Sequence, residues 1–135
     1  MARKTVTAAD YRALAEFRYR MRVFMQFSED AAREAGLPPA QHQALLAIKG
    51  FGDSDHLAIG KLAEKLKIRN NSAVELSNRM VEKKLIERRS DPDDQRRVLL
   101  YLTDEGNELL ERLSLTHLDE LVRLGPLLND IIGRN

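Results

Sequence analysis

Residues 88–106 read RRSDPDDQRRVLLYLTDEG. Asp91, Asp93 and Asp94 crowd between two arginine pairs, and an almost wholly apolar run, Val98 to Leu102, follows at once. A solvent loop, a cation site and the tip of a nucleic-acid-binding hairpin can all look like this. The flanking pattern narrows the choice. Leu85 to Arg89 has the composition of a strand, residues 90–96 that of a turn, and Val98 to Leu102 that of a second strand. Thr103 then stands where a helix N-cap would, with Asp104 and Glu105 suited to the positive end of a helix dipole.

Working outward, "HLAIGKLAEKLKI" (56–68) predicts a short extended segment and a helix over 59–66 buried through Leu62, Ala63 and Leu66. A tight connection, "KIRNN", leads to a second helix whose inner face is Ala73, Leu76, Ser77 and Met80, with Asn70 or Asn71 as its cap. Its outer face begins with polar residues. Upstream, "LPPAQHQALLAIKG" predicts a helix opening at Pro38 or Pro39, ending at Gly50, and packing through Leu45, Leu46 and Ile48. "GFGDSD" (50–55) is a loop by composition. Before it, Tyr11, Leu14, Phe17, Met21, Phe24, Phe27 and Ala31 recur every three or four residues, predicting one long amphipathic helix from near Thr7 to Gly36. A leucine-rich segment, 113–132, closes the chain and is expected to break at Gly125–Pro126.

Composition limits what such a chain can do. At 135 residues it is read as one domain, able to bury about two-thirds of its unfolded surface. It has no Cys, so disulfides and thiolate metal or redox centres are closed to it. No apolar run approaches the roughly 18 residues of a membrane span, and Val6 to Ala9 is no signal-peptide core, so a cytoplasmic protein is expected. Net charge is only +1, but 56–103 holds eleven Lys and Arg against seven Asp and Glu, while the remainder is net acidic. A basic middle suits a polyanion, although the same clustering also occurs on solvated surfaces.

Two helices joined by a tight turn and followed by a hairpin form a helix-turn-helix with a wing. In such a unit the second helix enters the major groove, where the edges of all four base pairs can be told apart. The stretch "LAIGKLAEKLKIRNNSAVELSNRMVEKKLIERRSDPDDQRRVLLYLTDEG" resembles the multiple-antibiotic-resistance regulator (MarR) family of winged-helix repressors. The wing is the most specific part, with Asp94 and Arg96 in an Asp-x-Arg spacing followed by an apolar strand and Leu102–Thr103. The resemblance implies a mainly α fold with a small β-hairpin wing. The winged helix-turn-helix would occupy about 37–103 of a single 1–135 domain, between dimerisation helices at 7–36 and 104–132.

It further implies a homodimeric, cytoplasmic regulator of transcription, a repressor that binds a pseudo-palindromic double-stranded DNA and answers to a small-molecule effector. The effector and its binding residues are not specified. Lys61, Lys67 and Arg89 are candidates for phosphate contacts, and Arg69, Asn70, Asn71, Ser72, Glu75 and Arg79 lie on or before the recognition helix. Arg96 or Arg97 would meet DNA from the wing, with Asp94 orienting the arginine; a wing-tip arginine can enter a narrow minor groove. Several residues depart from the family pattern. Lys67 and Lys84 stand where glycine is frequent, Asn78 where Asp is usual, and Gln95 where Arg is frequent.

"DPDDQRR" lacks the central Gly and distal Glu of a calcium loop, and its arginines oppose a cation. His42, His56 and His117 lie on separate predicted elements, so a metal site would have to be assembled by folding or dimerisation; no metal or cofactor is expected. No nucleophile–base pair or phosphate-cradling glycine loop appears, so the chain is not read as an enzyme. "RYRMR" (18–22) fits a solvated or dimer-facing surface. The leucines of 113–132 exceed one helix face, suggesting association. Two alternatives remain open: a winged-helix protein-interaction module without DNA binding, and a metal-responsive regulator using His and carboxylates.

Overall fold

The computed structural model describes residues 5–53 and 55–133, so Ser54 in the expected GFGDSD loop lies outside the described residues. The elements run α1 (Ala8–Glu34), α2 (Pro39–Phe51), β1 (His56–Ala58), α3 (Ile59–Leu66), α4 (Asn70–Glu82), β2 (Ile86–Ser90), β3 (Val98–Leu102) and α5 (Asp104–Gly133). The fold is mainly helical, with β3 at the centre of a three-stranded antiparallel sheet of order β1-β3-β2. His56 pairs with Tyr101 on one side of β3, and Glu87 pairs with Tyr101 on the other.

Local chemistry accounts for most boundaries. Thr7 caps α1 in a reciprocal box: its Oγ1 accepts from the Asp10 amide at 3.1 Å, and Asp10 accepts from the Thr7 amide at 3.0 Å. Gly36, at φ 79°, turns the chain out of α1 and leads to buried Leu37. Thr103 caps α5 by accepting from the Gly106 amide at 3.1 Å, and its hydroxyl donates to the Lys84 carbonyl at 2.6 Å. One threonine thus starts the last helix and fixes it to the turn that follows α4. Gly106 lies so close to Leu85 that an added methyl would overlap the Leu85 carbonyl oxygen.

The core is built around α2. Leu45 and Ile48 meet Leu62 of α3, Met80 of α4, Ile86 of β2 and Leu100 of β3, all fully buried. Each contributes about 1.5–3 kcal/mol by leaving water. Ser77 is buried among them without penalty, because its hydroxyl donates to the Ala73 carbonyl at 2.7 Å. Leu110 and Leu113 continue the core into α5, while α5 also packs along α1.

The structure corrects four expectations. The N-cap of α4 is Arg69, not Asn70 or Asn71, and no side chain caps that end. The extended backbone of Arg69 falls one residue earlier, so both asparagines are already inside the first turn. Leu46 is exposed rather than core, because α2 buries the faces carrying Ala44, Leu45, Ala47 and Ile48. The leading part of the α1 stripe (Tyr11, Leu14 and Phe17) is exposed as well. Finally, α5 does not break at Gly125–Pro126. Proline removes one bond to the carbonyl four residues back, at Val122, on an outward turn where solvent can reach it. Leu124 and Ile131, buried on either side of Pro126, hold the helix together across the gap.

Lys67 and Lys84 show how the glycine-poor connections close. Both adopt the left-handed conformation themselves, at φ 57° and 62°. Each is followed by the return bond of a helix C-cap: Ile68 N donates to Ala63 O at 3.0 Å, and Leu85 N to Met80 O at 3.0 Å. A non-glycine residue there costs about 1–2 kcal/mol, offset by the apolar residue that the turn delivers next, half-exposed Ile68 or buried Leu85.

Candidate nucleic-acid interface

The polar outer face of α4 follows from its sequence. Ala73, Ser77 and Met80 face the core at helical spacing, leaving Asn70, Asn71, Ser72, Glu75, Asn78 and Arg79 exposed. Arg69 is exposed at the N-cap position. With no side chain bonded at that end, the first amides of α4 are available to an acceptor from outside, and the helix dipole favours an anion there. Helix α3, which precedes it, likewise starts without a side-chain cap at Ala58.

The wing tip is a set of interlocking turns built by its aspartates. Asp91 is largely buried; its Oδ1 accepts from the Asp93 amide at 2.9 Å, and its Oδ2 receives Arg97 Nη1 at 3.4 Å. The Arg97 amide donates to the Asp94 carbonyl at 2.9 Å, and the Asp91 amide to the Arg97 carbonyl at 3.1 Å, closing the loop. Asp94 Oδ1 accepts from both the amide and Nε of Arg96, each at 3.1 Å. These bonds from Arg96, chiefly the side-chain one, lower the Asp94 carboxyl from its ordinary value, with Arg97 adding to the effect. The Arg96 side chain is 92% exposed, against 53% for Arg97. The two arginines therefore differ in kind: Arg97 ties the loop and Arg96 projects from it.

Between wing and helices lies a cleft of about 400 Å³ lined by Gly60, Lys61, Glu64, Asn70, Arg96 and Arg97 among others. Four of the residues selected from the sequence are thereby brought together: Lys61, Asn70, Arg96 and Arg97. Lys61 is shared with Glu64, whose carboxylate sits 3.3 Å away. Asn71, Ser72, Glu75 and Arg79 lie along the open side of α4, and Lys67 occupies the left-handed turn before it.

Arg89 goes elsewhere. It shares the outer sheet face with Glu87 and Tyr101, donating to Glu87 at 2.9 Å and lying 4.3 Å above the Tyr101 ring centre. The Glu87 bond, first among several causes, raises its already high pKa. Arg88, which sequence reading passed over, points to the opposite face and donates to Asn78 on α4. Strand alternation carried that signal: Ile86 faces the core, so Arg88 must share its side and lie next to α4. Asn78, despite replacing the usual Asp, thus still anchors an arginine.

Within one chain His42 and His117 pack with ring centres 4.8 Å apart, while His56 lies tilted against Tyr101 at 5.0 Å, and the described residues contain no group of three or more His, Cys, Asp or Glu able to hold a metal ion.

A helix-turn-helix, α3 and α4, whose second helix presents a polar face beside the β2–β3 hairpin, defines a winged-helix protein. Residues 35–97 match the model of the MarR family. Structurally, 90% of the chain superposes on 81% of AbsC, a MarR family transcriptional regulator from Streptomyces coelicolor, with a TM-score of 0.75 at 18% identity. Sco3205, a MarR family regulator of the same organism solved in complex with DNA, gives a TM-score of 0.72 at 22% identity over 90% of this chain and 76% of that one. Among curated proteins, the HTH-type transcriptional repressor MdtR of Bacillus subtilis is 29% identical over 84 residues, 62% of this chain and 52% of MdtR. Over residues 35–97 the chain is thus similar to the MarR family. It spans about half the length of the curated relatives it matches, and those relatives are regulators rather than enzymes.

Proposed function

We propose that this chain is a sequence-specific double-stranded-DNA-binding regulator of transcription, acting as a homodimer in the cytoplasm. The observation that carries the reading is the cleft joining Asn70 of α4, Lys61 of α3 and the projecting Arg96 of the wing. It supplies phosphate-binding cations beside an uncapped helix end whose exposed polar residues can reach base edges. Arg69, Asn70, Asn71, Ser72, Glu75 and Arg79 read the major groove; Arg96 reaches the adjacent minor groove; Lys61 and Lys67 meet phosphates. Arg88 joins this set in place of Arg89.

Dimerisation is supported by apolar surface that one chain leaves uncovered. Tyr11, Leu14, Leu118, Val122 and Ile132 are each more than half exposed, and a groove of about 480 Å³ lined by Leu14, Phe17, Ile131 and Ile132 runs between the start of α1 and the end of α5. Surface of this kind marks an association site. A twofold dimer presents two α4 helices to a pseudo-palindrome. Repression is supported by the similarity to the repressor MdtR, and response to a small effector by the family resemblance. No helix among the described residues is long and apolar enough to cross a membrane.

The test is selection of bound genomic fragments, followed by fluorescence anisotropy on the recovered duplex and a random one at two salt concentrations. Tighter binding to the recovered duplex, with a steep loss of affinity on adding salt, is expected. Failure to bind any duplex at low salt would favour the protein-interaction alternative.

A further inference from the structure

Two histidines from different helices meet where α1, α2 and α5 join. His42 on α2 is 3% exposed, and its ring centre lies 4.8 Å from that of His117 on α5. Both nitrogens of His117 are engaged: Nδ1 is 2.6 Å from the Leu113 carbonyl, and Nε2 is 2.8 Å from Ser28 Oγ on α1. A carbonyl can only accept, so Nδ1 carries the hydrogen, and in the neutral ring the Ser28 hydroxyl donates to Nε2. Phe24 and Phe27, also on α1, pack edge-on against His117 with centres at 6.1 and 5.3 Å. By contrast, Nδ1 of His42 is shut off from solvent and has no hydrogen-bond partner.

A proton on His42 would therefore be poorly received. Burial, and secondarily repulsion from His117, lower its pKa from 6.5, and no carboxylate is among the causes. Among the described residues, the contacts of the pair bring no carboxylate to it. Helix α1 contributes Ser28 and two phenylalanines, and α5 contributes His117 itself. Lys83, at the end of α4, donates to Gln41 beside His42 at 3.1 Å and has the sign of an imidazolium.

We propose that the His42–His117 contact is an acid-sensitive joint between the winged helix and the end helices. Near neutral pH the uncharged rings pack α2 against α1 and α5. Acidification places on buried His42 a proton that its surroundings do not accommodate, and relief comes from α2 moving away, which changes how α4 is presented. The unfolded chain takes up this proton near pH 6.5, whereas folded His42 takes it up lower. Stability that is complete above 6.5 is therefore lost as pH falls through that value, levelling off below the folded pKa.

The experiment measures the protein alone first. Histidine ring resonances, assigned by comparing wild type with His42→Gln, are followed by NMR from pH 8 to 5. His42 should titrate below 6.5, and its protonation should broaden or shift resonances of Phe24 and Phe27. Over pH 7.5 to 5.5 the Tm should fall by about 3–6 °C in wild type, much less in His42→Gln, and as in wild type in His56→Gln, which removes the other ring with an enclosed, unpartnered nitrogen. Titration of His42 at or above 6.5, or a full pH slope in His42→Gln, overturns the proposal. If His42→Gln does not fold, His117→Gln serves instead: it should raise the His42 titration point, and an unmoved one overturns the proposal. The regulatory consequence rests on the DNA-binding reading. On the recovered duplex, acidification over this range should weaken wild-type binding about fivefold, against the tendency of added positive charge to tighten it, and should spare His42→Gln. Parallel tightening in both proteins overturns that link. No DNA binding at any pH would refute the proposed function while leaving the titration result to stand or fall alone.

Discussion

Arg96→Ala isolates the wing's contribution to DNA binding. The Arg96 side chain is 92% exposed and its hydrogen bonds run to Asp94 alone among the described residues. Removing it should leave Tm and oligomeric state unchanged, because an exposed ion pair contributes little to folding. On DNA the effect depends on what the guanidinium touches. A minor-groove contact that carries sequence information is worth about 1–3 kcal/mol, or roughly 5- to 150-fold per wing, and a dimer presents two. A pure phosphate contact instead reduces the salt slope by about one unit per wing, which over a fourfold range of salt amounts to only about 3.5-fold. Anisotropy with operator and random duplexes at 50 and 200 mM salt separates these cases. Asp94→Ala supplies the sharper sign. Bulk electrostatics expects tighter binding when a carboxylate leaves a DNA-facing loop. The two bonds from Arg96 to Asp94 expect weaker binding, since the guanidinium would lose its orientation. Tighter operator binding by Asp94→Ala, or unchanged binding by Arg96→Ala, would refute this account of the wing.

Other positions allow equally direct tests. Lys84→Gly should stabilise the protein by about 0.5–1 kcal/mol in urea unfolding, because relief of the left-handed strain exceeds the entropy that glycine adds to the unfolded chain. Gly106→Ala should destabilise by about 1–3 kcal/mol, since the new methyl meets the Leu85 carbonyl and must push α5 off β2's approach. Leu14→Glu, in the groove between α1 and α5, should shift light-scattering mass toward the monomer and weaken operator binding while the helical signal persists. Mild peroxide should not release DNA in a form that dithiothreitol reverses, because the chain has no Cys.

Much of the architecture could be read from the chain because local chemistry and hydrophobic period agreed. The start of α1 near Thr7, Thr103 as a cap, the β3 run from Val98 to Leu102, and the inner face of α4 depend on neighbours within a few residues. The Asp94–Arg96 pairing was legible for the same reason, being a two-residue relation inside one turn. Tertiary structure decided what proximity in sequence could not. The side of the wing taken by Arg88 and Arg89 depended on which face of β2 found the core. Pro126 passed through a helix because Leu124 and Ile131 were held by α1 on either side of the missing bond. Leu46 lost its expected burial because it lies on the side of α2 that no other element among the described residues covers. His42 and His117, 75 positions apart in the sequence, became one electrostatic unit only when α2 and α5 packed together. Short-range periodicity sets which residues can face inward, but the partners that actually meet there are chosen by long-range packing.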